Sequence, residues 1–395
     1  MAAPPPSRVH TQHVTAAPRV RSASHPRARR VVAHALPRAS GPCVWHGPQL
    51  QRSAGDWSHT FSAAELTELD AAVSRCAVTS GDDLLRIKES PLPRDGQVAG
   101  LLRRVSHSLY AGKGLYLLRG LPTQDWGVMR SAVAYWLLSL ELGVPVPQNR
   151  AGHVLGHVKD VGSDPGAPAT RLYQTSAAQP YHTDSCDVVG LLCLQQALHG
   201  GDSHVVSSAA VFNALADAAP HLATVLLEPF HVDRKGEVPA GKEQTFLMPV
   251  FCTAPDGRLV SMYDRSFINA APARWPGTVP PLSALQLEAL DAADALAASP
   301  DLRLDMRLCP GDLQLLHNHA IWHARGAFTD GGAGQRSKRH LLRMWLAARP
   351  DVAWPLPPVF AERYGTVDAR AVPARGGIRV PGMTLCAPLD ATVPV

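Results

Sequence analysis

The chain has 395 residues, 46% hydrophobic and 18% charged, the composition of a folded globular protein rather than a disordered one. No run approaches eighteen consecutive apolar residues, which excludes a membrane-spanning helix. The formal charge of +5 is carried by the first 55 residues, which hold eight Arg and no acid or Lys; the remaining 30 basic and 33 acidic residues leave no basic face for nucleic acid.

Residues 1–41 are rich in Ala, Pro, Ser and Arg and lack the apolar core of a secretory signal. An acid-free leader of this kind reads as an organelle transit peptide (mitochondrion or chloroplast), the alternative being a disordered tail on a cytoplasmic protein. Order is expected from about Trp45. Ser62-Ala-Ala-Glu65 is a capping box that opens a helix, followed by a helical pattern over Gln97–Gly112 and a third over Ser131–Leu140. Gly114–Gly120 reads as a buried strand between the last two. From about residue 150 short apolar or alternating runs dominate: Val188–Leu194, His204–Ser207, Leu247–Cys252, Leu259–Tyr263, Leu302–Leu308, Leu313–Leu316 and His340–Leu346. Two helices interrupt them, one after Ser208 and one after the capping box Ser283–Gln286. Short strands with Gly, Pro, Asp and Asn punctuation predict a β-sandwich or barrel with helical additions. A helical part at about 60–145 would pack on a β core at about 150–347, and 378–395 would be a tail.

Seven scattered cysteines form no CxxC pair, so neither a disulfide framework nor a thiolate zinc site is expected. HExxH and GxSxG are absent, which disfavours a zinc hydrolase and a serine hydrolase. The chemistry concentrates elsewhere. In an extended segment residues i and i+2 share a face, so His182-Thr183-Asp184 aims an imidazole and a carboxylate at one point. Two histidines and a carboxylate with open positions are the ligands of non-haem Fe(II) oxygenases. The stretch Pro310–Arg325 offers three candidates for the second imidazole, His317, His319 and His323; all are odd-numbered and would share one face of a continuous strand, so spacing does not choose among them. Arg339 and Arg343 begin another strand, where permanently charged guanidinium groups suit a carboxylate ligand.

The stretch from about Trp45 to Gly377 resembles the taurine/2,4-D dioxygenase (TauD/TfdA, clavaminate-synthase-like) family of Fe(II)/2-oxoglutarate oxygenases. The resemblance is carried by His182-Thr183-Asp184, Gly200-Gly201-Asp202-Ser203, Gly311-Asp312 with Asn318 and His323, and Arg339-His340-Leu341-Leu342-Arg343. It implies a mainly β (α+β) fold with a double-stranded β-helix, or jelly-roll, core. It also selects His323 as the third ligand beside His182 and Asp184, because that histidine follows an Asn by five residues in the family; His317 departs from the family pattern. Fe(II), 2-oxoglutarate as co-substrate and O2 are implied, with Arg339 and Ser203 on the co-substrate's distal carboxylate. Arg325 is a further candidate for the co-substrate and Arg343 for an anionic small-molecule substrate, the product side being succinate and CO2. The spacing from His323 to Arg339 is long, and a loop at Gly331–Gly334 would absorb the excess. A non-catalytic or differently metallated binding protein on the same fold is the alternative reading, and a homo-oligomer is left open.

Overall fold

Both capping boxes close as the sequence predicts. Ser62 Oγ accepts the Glu65 N–H while the Glu65 carboxylate accepts the Ser62 N–H at 2.7 Å, and Ser283 and Gln286 reciprocate in the same way. The computed structural model describes residues 1, 36–166, 170–332, 338–367, 370, 378–380 and 383. Residues 2–35 of the predicted leader therefore lie outside the described residues, as do residues 333 and 334 of the expected loop and most of the tail. Residues 36–41, expected in the leader, instead join the fold: Ala39 exchanges backbone hydrogen bonds of 3.0 and 2.9 Å with the Asn213 carboxamide.

The three early helices are α1 (Ala63–Ser74), α2 (Gln97–Tyr110) and α3 (Thr123–Leu142). The strands that position the site are β1 (Ser58–Thr60), β2 (Leu115–Arg119), β3 (Val144–Val146), β4 (Leu155–Val158), β5 (Gln179–His182), β6 (Val188–Gln195), β7 (Ser203–Ser207), β8 (Leu304–Met306), β9 (Leu313–His317), β10 (Ile321–Arg325) and β11 (His340–Ala347). Seven of them form a large sheet in the order β1-β2-β9-β6-β11-β3, with β4 also on β11, and four form a second sheet, β8-β7-β10-β5. Apart from the parallel β1–β2 pair, every contact in both sheets is antiparallel. Mixed helices and antiparallel sheets make the chain α+β.

Alternation along the strands explains the layering. From one face of the large sheet, Leu118, Leu192, Leu315 and Leu342 meet Leu69, Leu101, Leu109, Val133 and Leu137 of α1–α3 in one buried cluster. From the other face, Leu117, Val189, Leu316 and Trp345 meet Val205, Leu304 and Met306 of the second sheet. A third cluster joins Val206 and Trp322 to the two later helices predicted from Ser208 and Ser283, observed as α4 (Ser208–Ala218) and α5 (Ala284–Ala297).

Four strand expectations change, and the simplest is Leu302–Leu308, which is a strand only over Leu304–Met306. Leu247–Cys252 is two strands, Thr245–Pro249 and Phe251–Thr253, because Pro249 has no N–H to carry the ladder on and the halves pair with different partners. Leu259–Tyr263 stops at Ser261, the Tyr263 N–H being taken by Thr183 Oγ1 at 3.0 Å. The stretch carrying the three histidines is not one strand. β9 ends at His317, Asn318–Ala320 turn, and β10 begins in the other sheet, so shared parity does not put the histidines on one face.

His317 and His319 are thereby delivered to the core. His317 packs against Trp354 at 4.2 Å and Tyr110 at 5.5 Å between ring centroids, and His319 Nε2 lies 3.2 Å from Asp187 Oδ1. Burial, with His319 beside it, holds His317 at a pKa of about 3; burial and His157 do the same to His340. Folded, these imidazoles stay neutral down to about pH 3, whereas unfolded they gain a proton below about 6.5. Each therefore contributes stability that is complete above pH 6.5 and is lost as the pH falls, by up to ~1.4 kcal/mol per pH unit per group. The urea midpoint of the chain is expected to be flat above pH 7 and to fall steeply from 6.5 towards 4. A midpoint unchanged down to pH 5 would mean that neither histidine is kept neutral by the fold.

Candidate active site

The His-x-Asp pair sits where β5 ends. His182 is the last residue of the strand, the Thr183 N–H is held by the Tyr263 carbonyl at 2.7 Å, and Asp184 follows just beyond it. Asn318, in the turn between β9 and β10, accepts the Asp184 N–H on Oδ1 at 3.0 Å and donates through Nδ2 to Cys186 Sγ at 3.1 Å. His323 lies in the middle of β10 directly opposite His182 in the antiparallel register, with ring centroids 4.1 Å apart. Its Nε2 is 3.7 Å from Asp184 Oδ2. One ligand atom from each of His182, Asp184 and His323 lies within 4.8 Å of the others, and all three residues are buried.

This donor set suits a divalent transition metal. His182 Nδ1–H donates to the Pro180 carbonyl at 2.9 Å, which leaves the Nε2 lone pair facing the site, where Gln179 Nε2 donates to it at 2.9 Å. Asp184 Oδ2 and His323 Nδ1 are buried and have no hydrogen-bond partner, although an orphaned buried carboxylate oxygen is costly. Burial pushes the Asp184 carboxyl up, but Arg343, His323 and His182 more than reverse this and leave it below its ordinary value. Burial and the neighbouring His182 hold His323 at about 3. Carboxylate and imidazole are thus both in the protonation state a metal requires. His317 and His319, packed in the aromatic core, are not part of this cluster.

Removing the Asn318 carboxamide is expected to act through Asp184. Asn318→Ala leaves the Asp184 N–H without its acceptor, and metal affinity should fall roughly 10–100-fold, as for other groups that orient a ligand. Metal titration by calorimetry checks this; an Asn318→Ala chain with unchanged metal affinity would refute the positioning role.

Ser203, Arg325 and Arg339 face the same small buried cavity as His182, Asp184, His323 and Arg343. Arg325 Nη2 donates to the Thr175 carbonyl at 3.0 Å and also to that of Ala177, but its Nε and Nη1 have no partner; Arg339 Nη1 is equally without one. Burial lowers both guanidinium pKa values to about 10, with Arg339 adding to the effect on Arg325. Both stack on the Phe328 ring, at 4.9 and 5.3 Å from its centroid. Two buried cations aiming free N–H groups into one cavity make a receptor for a carboxylate. The Gly200-Gly201 turn permits this approach: Gly201 has φ +76°, and a Cβ there would lie 2.9 Å from Arg339 Nε. Ser203 Oγ is 3.0–3.1 Å from the Gln314 carboxamide at the same end of the cavity.

Arg343 is more engaged than its sequence position suggested. Its Nε donates to Gln148 Oε1 at 2.7 Å, its Nη1 lies 3.4 Å from Asp184 Oδ1, and its guanidinium stacks on Tyr173 at 4.5 Å. It lines both the small cavity and a larger one of about 510 Å³, which also share His182 and Asp184. That larger cavity brings in Arg171, Tyr173, Lys235, Phe267, Arg274 and Arg363, from segments far apart in sequence. None of these, nor Gln148 and Gln179, was singled out from the sequence. They sit in loops or at element ends where periodicity carries no signal.

The comparisons agree with this geometry. The family model of the taurine catabolism dioxygenase TauD, TfdA family matches residues 88–345. FR-33289 synthase of Streptomyces rubellomurinus is 33% identical over 314 residues, 78% of this chain and 89% of the relative. Taurine hydroxylase-like protein SAT17 of Stachybotrys chartarum is 27% identical over 330 residues, covering 80% and 81%. The fold is similar to that of asparagine oxygenase in complex with Fe(II), 3-hydroxyasparagine and succinate, with a TM-score of 0.52 at 18% identity over 76% of this chain and 99% of that one. The chain belongs to the TauD/TfdA family and is an Fe(II)- and 2-oxoglutarate-dependent dioxygenase.

Proposed function

We propose that His182, Asp184 and His323 hold the iron, that Arg339, Arg325 and Ser203 receive 2-oxoglutarate, and that the larger cavity takes a small anionic molecule hydroxylated at a C–H bond. In this reading the two sheets form a double-stranded β-helix core around the site. The observation that carries it is the meeting of three ligand atoms, within 4.8 Å of one another, at the boundary of two cavities. One cavity carries the unpartnered guanidinium N–H groups of Arg325 and Arg339, and the other has several cations in its walls.

Bound there, iron with 2-oxoglutarate and O2 supplies an oxidative decarboxylation that yields succinate and CO2 and puts one oxygen atom into the substrate. The protein's own part is placement. Arg339 and Arg325 neutralise the distal carboxylate of the co-substrate in a buried site, and Ser203 donates its hydroxyl to the same group. Arg343, in contact with Asp184, keeps that carboxylate ionised and turned towards the metal. Tyr173 and Phe267 give the larger cavity apolar walls that exclude water from the reacting carbon.

The test is succinate release from 2-oxoglutarate under Fe(II) and O2 across a panel of small acids, in the whole chain and in folded His182→Ala and His323→Ala variants. Acid-stimulated succinate in the wild type and none in the variants is the expected result. Undiminished turnover in either variant would remove that histidine from the ligand set.

A further inference from the structure

Resting on the reading of the larger cavity as the substrate site, we propose that Lys235 is the anchor for an oxyanion group of the substrate. The ion pairs within the cavity single it out. Five cationic side chains line it: Arg171, Lys235, Arg274, Arg343 and Arg363. Arg171 Nη2 is 2.6 Å from Glu237, which Arg363 also approaches at 3.8 Å; Arg274 pairs with Asp233 at 2.9 Å; Arg343 faces Asp184 at 3.4 Å. Asp264 caps a helix, Arg265–Arg274, its Oδ1 accepting from Ser266 N at 2.9 Å, Ser266 Oγ at 2.7 Å and Phe267 N at 3.3 Å; its charge and that of Asp233 act on Lys235 only from beyond ion-pair distance. Among the described residues the Lys235 ammonium has no carboxylate within ion-pair distance. It rests instead over the Phe267 ring, 5.0 Å from the centroid, with the Arg171 guanidinium 5.2 Å from the same ring.

The backbone gives an independent reason. Lys235 has φ +48°, a left-handed conformation that lysine rarely adopts, and only one other non-glycine among the described residues, Arg370, has a positive φ. Its N–H is tied to Asp233 Oδ1 at 2.6 Å and Gly236 follows with φ +81°, so a tight turn forces the conformation. Glycine or asparagine would hold this turn with less strain. A strained lysine whose side chain enters the cavity is a residue whose value lies in the site rather than in the turn. An ammonium is a point charge without the planar fork of arginine, so it accepts a carboxylate or a tetrahedral phosphoryl or sulfonyl group alike.

The experiment uses the whole chain with Fe(II) and saturating 2-oxoglutarate under nitrogen, so that the Arg325–Arg339 site is filled. Acetate, inorganic phosphate and sulfate are titrated by calorimetry into the wild type and the Lys235→Asn, Lys235→Gly and Lys235→Arg variants; the tightest of the three probes names the oxyanion. Its affinity should drop about 10–100-fold in the Asn and Gly variants, the value of a charge-assisted hydrogen bond, and be largely kept in Lys235→Arg. The Tm of the Asn and Gly variants should equal or exceed that of the wild type, which a merely structural lysine would not allow. Equal affinity of all three probes for wild type and Lys235→Asn, or binding by none, overturns the proposal. Equilibrium dialysis of 2-oxoglutarate in the same proteins reports separately on the metal-site reading. Its failure in the wild type would count against that reading, whereas wild-type 2-oxoglutarate binding in Lys235→Asn with the anion affinity lost supports both.

Discussion

Asp184→Ala is expected to abolish Fe(II)-dependent turnover of 2-oxoglutarate and also to destabilise the metal-free chain, whereas Asp184→Ala combined with Arg343→Met recovers the stability and none of the turnover. The two effects have different origins. Loss of a metal ligand removes several kcal/mol of transition-state stabilisation, ~10³-fold or more in rate. The stability effect comes from Arg343, which is 7% exposed and has Asp184 as its carboxylate partner at 3.4 Å. Leaving that guanidinium buried without its partner costs roughly 3–5 kcal/mol, while replacing both members of such a pair by apolar or small groups is close to neutral. Gln148 keeps its Nε2 bonds to the Val154 and Arg343 carbonyls in either variant; its Oε1 loses the Arg343 Nε donor in the double variant, a cost of about 1–3 kcal/mol that sets the ceiling on the recovery. Urea unfolding of the metal-free proteins reads the stability and succinate release reads the turnover. A single variant as stable as the wild type would show that the pair carries no buried charge, and turnover surviving in the double variant would disprove the metal assignment.

Arg339→Ala should raise the KM for 2-oxoglutarate by about 10²-fold with little loss of kcat at saturation, since truncating one member of a buried charge pair costs about 2–5 kcal/mol. The sign of its effect on the protein without 2-oxoglutarate is the more telling outcome. Arg339 is 7% exposed, its Nη1 has no acceptor, and burial draws its pKa down to about 10. Folding therefore strains against this cation until a carboxylate arrives, and removing it should leave the Tm unchanged or higher. The gain in Tm that 2-oxoglutarate gives the wild type should then disappear. A fall in Tm without 2-oxoglutarate, or an unchanged KM, would assign Arg339 a structural role instead.

What could be read from the residues depended on the length scale of the signal. Capping boxes span four residues, and both of the predicted ones form. His182 and Asp184 were paired by the parity of an extended segment; the strand ends at His182, Asp184 lies two residues beyond, and the two ligand atoms still converge. The third ligand was not legible by the same rule, because parity assumes an unbroken strand. Asn318-His319-Ala320 contains neither Gly nor Pro, yet the chain turns there and passes from one sheet to the other, sending His317 to the aromatic core and His323 to the metal cluster. Only the family register anchored on Asn318 favoured His323. Asn318 itself proved to be more than a marker, since its carboxamide holds the Asp184 N–H. Arg171, Lys235 and Arg363 were invisible because they reach the cavity from distant loops and a short C-terminal helix, Ala361–Tyr364, brought together only by the finished fold.

A single strand also sets a length. The bulge between β6 and β11 falls on β6, opposite His340 and Leu341, so β11 keeps its alternation, and Arg339, Leu341, Arg343 and Trp345 all face the two cavities. Arg339 and Arg343 are four residues apart, about 13 Å along an extended backbone. In the proposed reading one end of that span receives the far carboxylate of the co-substrate, and the other, Arg343, braces Asp184. On that reading the strand acts as a gauge for chain length. A keto-diacid one methylene shorter is then expected to fall short of Arg339 and to bind more weakly than the five-carbon one, which would place part of the co-substrate choice in a backbone repeat rather than in any one side chain.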